Sequence, residues 1–187
     1  MIRSAGLCVS LSDWPLLLNY QRLWSKPLAE NDDFLSVTVW RLTSDPTGFI
    51  ALNHYATPEA AKRIEAEAAK SGQLVDLMGS WEEAPDLRFI RIEARGGLAP
   101  DEIEIKQLAS FSTRVADTGR GDELSSELSY IFEELKLMDG FLGFMQGRLE
   151  GVPEEITSVG FWRTQEAFQR SLPSKTQYKV NLFERVI

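Results

Sequence analysis

Cysteine and histidine each occur once in the 187 residues, as Cys8 and His54. A single cysteine excludes an internal disulfide and a cysteine-cluster metal site, and it fits a reducing compartment. A single histidine excludes a His-cluster metal centre. Long apolar runs are missing. The longest are of the kind Pro15-Leu16-Leu17-Leu18, far short of the ~20 residues of a spanning helix. Arg3 is followed by neither an apolar h-region nor a small-residue cleavage site, so a cytoplasmic protein is expected. Basic side chains are in deficit, 20 against 28 acidic, for a net charge of −8. That balance opposes binding to nucleic acid, which needs a basic face, and docking on an anionic membrane. A Walker-type phosphate loop, a dinucleotide glycine fingerprint and a Gly-x-Ser-x-Gly elbow are also absent. Gly119 and Gly121 sit in ordinary loop context. No cofactor and no metal are therefore expected.

What is present is globular composition, 43% apolar and 26% charged, long enough for one domain or two small ones. An internal repeat decides how to divide it. Phe34–Ile64 lies over Phe141–Ser171 at a constant shift of 107 without a gap, with nine identities in 31 positions. They include Phe34/Phe141, Arg41/Arg148, Pro46/Pro153, Thr57/Thr164 and Glu59/Glu166, which mark a strand start, a turn and a helix start.

The surrounding elements repeat as well. In the first half, Ile2–Ser10 reads as a strand. Ser12 caps a helix carrying Trp14, Leu17, Leu18 and Trp24, and Pro27 should end it. Phe34–Thr43 and Phe49–Ala56 read as strands joined by a turn. Thr57-Pro58-Glu59 starts a helix to about Lys70, and Leu87–Ala94 is the last strand. The apolar stretch between Gln73 and Asp86 is expected to pack and to cover one end of a pocket. In the second half, Glu102–Val115 contains a strand. Asp122 caps a helix with Leu124, Leu128, Ile131, Leu135 and Met138 on one stripe. Phe141–Leu149 is a strand, Glu150–Glu155 a turn and Ile156–Arg163 a strand. A short helix opens at Thr164 and stops at Pro173, and Tyr178–Ile187 is the last strand. Each half thus reads β-α-β-β-α-β, the ferredoxin-like unit. The boundaries are 1–97 and 98–187, through the linker Gly96-Gly97-Leu98-Ala99-Pro100. Acidity is spread over both, −3 and −5.

On two segments the chain resembles the dimeric α+β barrel superfamily, and within it the antibiotic-biosynthesis-monooxygenase-like group. They are Val159-Gly160-Phe161-Trp162-Arg163-Thr164-Gln165-Glu166-Ala167-Phe168 and Tyr178-Lys179-Val180-Asn181-Leu182-Phe183-Glu184-Arg185-Val186. The resemblance implies an α+β fold of two tandem ferredoxin-like (βαββαβ) repeats. These would form an intramolecular dimeric-α+β-barrel-like pseudo-dimer, as a monomer or a weak homodimer. It also implies a pocket between the helices and one sheet, and a small-molecule ligand. The implied function is a cofactor-independent monooxygenase acting on a small aromatic or apolar molecule. The alternative is a non-catalytic small-molecule-binding or stress-associated protein keeping only the fold. Haem-degrading members use a Trp before the second helix and a His beyond it. Trp162 stands at the first position, but Gln169–Lys175 holds no histidine, which disfavours that route.

Among candidate site residues, His54 is the general base or hydrogen-bond donor. The plainer reading is a packed or partly exposed strand histidine, since its repeat counterpart is Phe161. Strand alternation puts Asn53 and Tyr55 on the face opposite His54. Ser36, Thr38 and Trp40 share one face, read as a half-exposed strand face or as a cavity wall. Trp14, Trp24, Trp40, Tyr55 and Trp162 are the pocket candidates; each also suits a small core that leans on large side chains. Trp81 falls in the stretch after Lys70. Cys8 reads as a buried structural thiol. Lys62, Arg63, Glu65 and Glu67 read as a solvated helix face, and Arg91 as a same-strand partner of Glu93.

Overall fold

Alternating β-branched and aromatic residues make Phe34–Leu42 (β2) and Gly48–Tyr55 (β3) a hairpin, and β3 also pairs antiparallel with Ile2–Cys8 (β1). The computed structural model describes residues 1–8, 14–70, 72, 86–173 and 180–187. The segment from Gln73 to Pro85 with Trp81, the Ser12 cap and the start of the last predicted strand lie outside these residues. The described chain forms two compact units, Met1–Phe89 with Val186–Ile187, and Ile90–Arg185.

In unit 1 the sheet order is β1-β3-β2, and the chain's last two residues lie along β2. Val39 N donates to Ile187 O at 2.9 Å, and Val186 N to Val39 O at 2.9 Å. Helix α1 spans Trp14–Glu30 and α2 spans Pro58–Lys70. At the start of α2, Thr57 Oγ1 accepts from Ala60 N at 3.1 Å, with Pro58 at N1 where its missing N–H is free of cost. Pro27 does not end α1 but sits inside its last turn. Its ring forfeits one intrahelical bond, yet its carbonyl still accepts from Asn31 N at 3.0 Å. Leu28 beyond it packs on the core. That burial offsets a penalty of about 3 kcal/mol for an interior proline. The core joins Leu17, Tyr20 and Trp24 of α1 to Val39, Ala51 and Tyr55 of the sheet and Ala61 and Ile64 of α2.

In unit 2, β5 (Leu108–Val115), β6 (Phe141–Leu149), β7 (Val152–Trp162) and β8 (Asn181–Arg185) lie in the order β8-β5-β7-β6. Residues 90–97 of β4 (Asp86–Gly97) pair with β6. The expected linker thus begins inside a strand: Gly96 and Gly97 still pair with Phe144 and Gly143. Helix α3 spans Gly121–Leu135 and α4 spans Gln165–Ser171. Asp122 is not the N-cap of α3. Arg120 holds that position without a side-chain cap bond, and Asp122 instead binds Arg148 at 2.6 Å. The buried stripe of α3 runs through Leu128 and Phe132, leaving Ile131 42% exposed. Phe132 stacks on Phe144 of β6 at 4.3 Å and takes the place expected for Ile131, while Leu128 is buried and Leu135 packs on the core as the stripe predicts. The β6–β7 turn shrinks to Glu150-Gly151, where Gly151 takes φ 83° as a tight hairpin requires.

The same shift of 107 relates the registers. Val39 pairs with Ala51 and Gln146 with Ser158; Ile2 pairs with His54 and Ala109 with Phe161. Both hairpins carry a register irregularity at matching places, Phe34/Ser36 and Phe141/Gly143.

Thr164 caps α4 by accepting from Ala167 N at 3.2 Å. Thr164→Ala is expected to cost about 1 kcal/mol in a urea titration. No effect would mean that the packing of Ala167 and Phe168 alone holds this short helix.

Among the described residues, no helix is long and apolar enough to cross a membrane.

Candidate functional site

The expected site residues fall in separate places. Trp14, at the start of α1, is 43% exposed. Trp24 and Tyr55 are fully buried on the helix-covered face of the unit 1 sheet. They are joined through Phe34, whose ring lies 5.4 Å from Trp24 and 5.1 Å from Tyr55. The Tyr55 hydroxyl donates to Glu65 of α2. The sequence places Glu65 on a solvated helix face, and its tyrosine partner ends the strand just before the helix. Tyr20 OH donates to Asn53 Oδ1 at 3.2 Å on this same face.

His54 and Trp40 occupy the other face, as strand alternation requires. His54 pairs with Ser36, and Thr38 with Leu52. Trp40 Nε1 donates to Thr38 Oγ1 at 2.9 Å. This face is not half-exposed: Ser36, Thr38, Trp40 and His54 are all buried.

Trp162 belongs to unit 2. Its Nε1 donates to Ser110 Oγ at 2.9 Å, and Phe141 and Phe168 lie edge-on to its ring at 4.8 and 5.7 Å. Trp162 is therefore held by packing and one hydrogen bond. No group of three or more metal-ligating side chains occurs among the described residues.

A cleft of about 350 Å³ opens in unit 2 between the end of β5 and the first half of α3. Arg114, Asp117, Arg120, Glu123, Leu124 and Glu127 line it. Arg120 is committed to Glu123, with Nε at 2.8 Å and Nη2 at 2.6 Å from one carboxylate oxygen, and lies 3.8 Å from Asp117. Donating to the Glu123 carboxylate raises its pKa further. Three carboxylates against two guanidiniums leave the cleft acidic. By register, the strand position of Arg114 corresponds to Leu7 in unit 1.

Further along β5 from the cleft, the helix-covered face of the sheet carries a polar row. Ser112 pairs with Ser158, and Ser158 with Gln146. Gln146 is 1% exposed. Its Nε2 donates into α3, to Ser125 O at 2.9 Å, Ser125 Oγ at 2.8 Å and Ser129 Oγ at 3.3 Å. Among the described residues, Gln146 Oε1 and Ser158 Oγ have no hydrogen-bond partner. Burying such a group without one costs about 1–3 kcal/mol. The register counterparts are Val39 and Ala51, both fully buried, so the fold itself does not need polarity here. Nothing in the residue types singled out Gln146. The one signal was that an amide stands where the first repeat has a valine.

Beside this row, Arg148 ties three elements together, bonding Glu93 of β4 at 2.9 Å and Asp122 of α3 at 2.6 Å. Glu93 therefore pairs across strands rather than with Arg91. A hollow of about 160 Å³ lies against Arg91, Glu93 and Arg148.

No family model and no curated sequence matches the chain. Solved structures do. A candidate monooxygenase from Lactobacillus acidophilus matches with a TM-score of 0.75 at 8% identity, over 98% of this chain and 92% of that one. An anthrone oxidase-like protein matches with a TM-score of 0.69 at 15% identity, over 100% and 90%. A ferredoxin-fold protein from Listeria monocytogenes, described as related to antibiotic biosynthesis monooxygenases, matches with a TM-score of 0.56 at 7% identity, over 100% and 95%. At such identities the likeness is one of fold. The chain has the α+β ferredoxin-like fold of these structures.

Proposed function

We propose that this protein binds a small molecule in the cleft between β5 and α3 of unit 2, without catalysing its turnover. The cleft itself carries this reading: about 350 Å³ of space is within the range of small-ligand sites. The core of unit 1, by contrast, is filled by Trp24, Tyr55 and their neighbours. The polar row of Gln146, Ser158 and Ser112 further along β5 offers amide and hydroxyl groups, and Glu123 in the cleft is engaged by Arg120. The protein acts as a monomer in the cytoplasm.

Leu124→Trp fills the cleft from a half-buried position and tests the proposal. In calorimetric titration with phenol, aniline and toluene, the variant is expected to lose all binding that the natural chain displays, with its melting temperature nearly unchanged. Equal binding by both chains would sink it.

The second reading is cofactor-independent oxidation of a small aromatic substrate, with His54 as base. It is favoured by the monooxygenase and anthrone oxidase-like names of the structural neighbours. Oxygen uptake with anthrone and simple quinols separates the two readings: steady consumption abolished by His54→Ala would replace binding with catalysis.

A further inference from the structure

We infer that Gln146 Oε1 and Ser158 Oγ together receive a hydrogen-bond donor of the ligand. The ligand class is then a hydroxyl- or amino-bearing molecule, neutral or cationic, rather than a hydrocarbon or an anion. This deepens the unit 2 binding proposal and rests on it.

Three observations support the assignment. The first is the orientation of the amide. Ser125 O, 2.9 Å from the Gln146 nitrogen, is a carbonyl and can only accept. The amide nitrogen must face α3, and a flip that would hide the oxygen is excluded. The oxygen is left as a buried acceptor without a donor among the described residues.

The second is its neighbour. Ser158 is the direct cross-strand partner of Gln146, which brings their side chains to about 5 Å apart on one face. Its hydroxyl is also buried and unbonded among the described residues. A serine hydroxyl can donate as well as accept. One ligand hydroxyl can therefore donate to the amide oxygen while accepting from Ser158. An ammonium or amino group can donate to both. A carboxylate can satisfy only Ser158 and would repel the amide oxygen.

The third is nearness to the cleft, whose lining Gln146 and Ser158 do not themselves join. Ser112, beside Ser158, stands two residues from Arg114 along β5, about 7 Å at strand rise. Leu124 of the cleft directly precedes Ser125. A molecule entering at Arg114 and Leu124 passes Asp117, Glu123 and Glu127, whose charge exceeds that of the two arginines and disfavours an anion.

The test uses three monosubstituted benzenes: phenol, toluene of nearly the same shape, and the anion benzoate. The natural chain is expected to bind phenol about tenfold more tightly than toluene, the discrimination typical of a site that loses one hydrogen bond, and to reject benzoate. Phenol should also shift the side-chain amide signals of Gln146 in a two-dimensional NMR spectrum, a measurement that needs no variant. The double variant Gln146→Val with Ser158→Ala, which approximates the unit 1 pair Val39 and Ala51, should lose the preference and bind toluene at least as well as phenol. Equal binding of phenol and toluene by the natural chain would overturn this inference and leave the cleft proposal standing. So would a double variant that keeps the preference, or Gln146 signals unmoved by saturating phenol. If no probe binds at all, both proposals fall.

Discussion

Replacing Trp24 by alanine is expected to cost about 3–5 kcal/mol of folding free energy, the usual range for removing a fully buried aromatic. Trp24 has no exposed surface. It stands on the α1 stripe Leu17, Tyr20, Trp24 at helical spacing. Its ring lies 6.3 Å from Tyr20 and 5.4 Å from Phe34, and Phe34 carries the contact on to Tyr55. Truncation removes the transfer energy of an indole. It also leaves a hole between α1 and the sheet that neither rigid element can close. At this chain length the melting temperature should fall by on the order of 10 °C. Trp24→Phe, which keeps the ring contacts with Tyr20 and Phe34, should recover more than half of the loss. Urea titration of both variants is the check. A cost under about 1 kcal/mol for alanine would mean that α1 settles into the space, and that the aromatic chain is not what docks it.

Gly147→Val is expected to destabilise unit 2 by about 3 kcal/mol or more, at the upper end of what overpacking costs. Gly147 lies on β6 opposite Ile92 of β4. A Cβ there would meet Arg91 O at 2.2 Å and Arg91 C at 2.8 Å. Both are backbone atoms of the neighbouring strand and have no rotamer to change. The ladder must part locally, which also pulls Glu93 from Arg148. The effect should be visible by position. In hydrogen exchange, the amides of Ile90–Gly97 should lose protection, while those of the β5–β7 ladder keep it. Uniform loss of protection would instead point to global unfolding, and unchanged exchange would remove the close approach as a constraint. The register counterpart of Gly147 is Trp40, so the glycine answers to its own neighbour and not to the repeat.

The sequence by itself determined the element order and many of the boundaries. Strand β6 begins and ends where the alternation says, and α2 and α4 begin at Thr57 and Thr164. The reason is local. Side-chain alternation, a threonine cap and a proline at N1 act over a few residues. The 107-residue shift was equally legible, and the strand registers follow it. The opposition of His54 to Asn53 and Tyr55 followed from a period of two.

What the tertiary structure decided was everything that depends on a partner distant in the chain. Pro27 stays in α1 because packing beyond it outweighs its local penalty. Asp122 leaves the cap because Arg148, 26 residues on, is a stronger partner. Phe132 replaces Ile131 in the α3 stripe because it finds Phe144. Glu65 is drawn to Tyr55 from what reads as a solvent face. Gln146 and Ser158, 12 residues apart, become one site only when β6 and β7 set them side by side under α3. Local preferences amount to about 1 kcal/mol per residue or less, whereas burying an unpaired amide or aligning a buried aromatic involves several times that. Where the two disagreed, the long-range term prevailed, and the candidate site is one of those places.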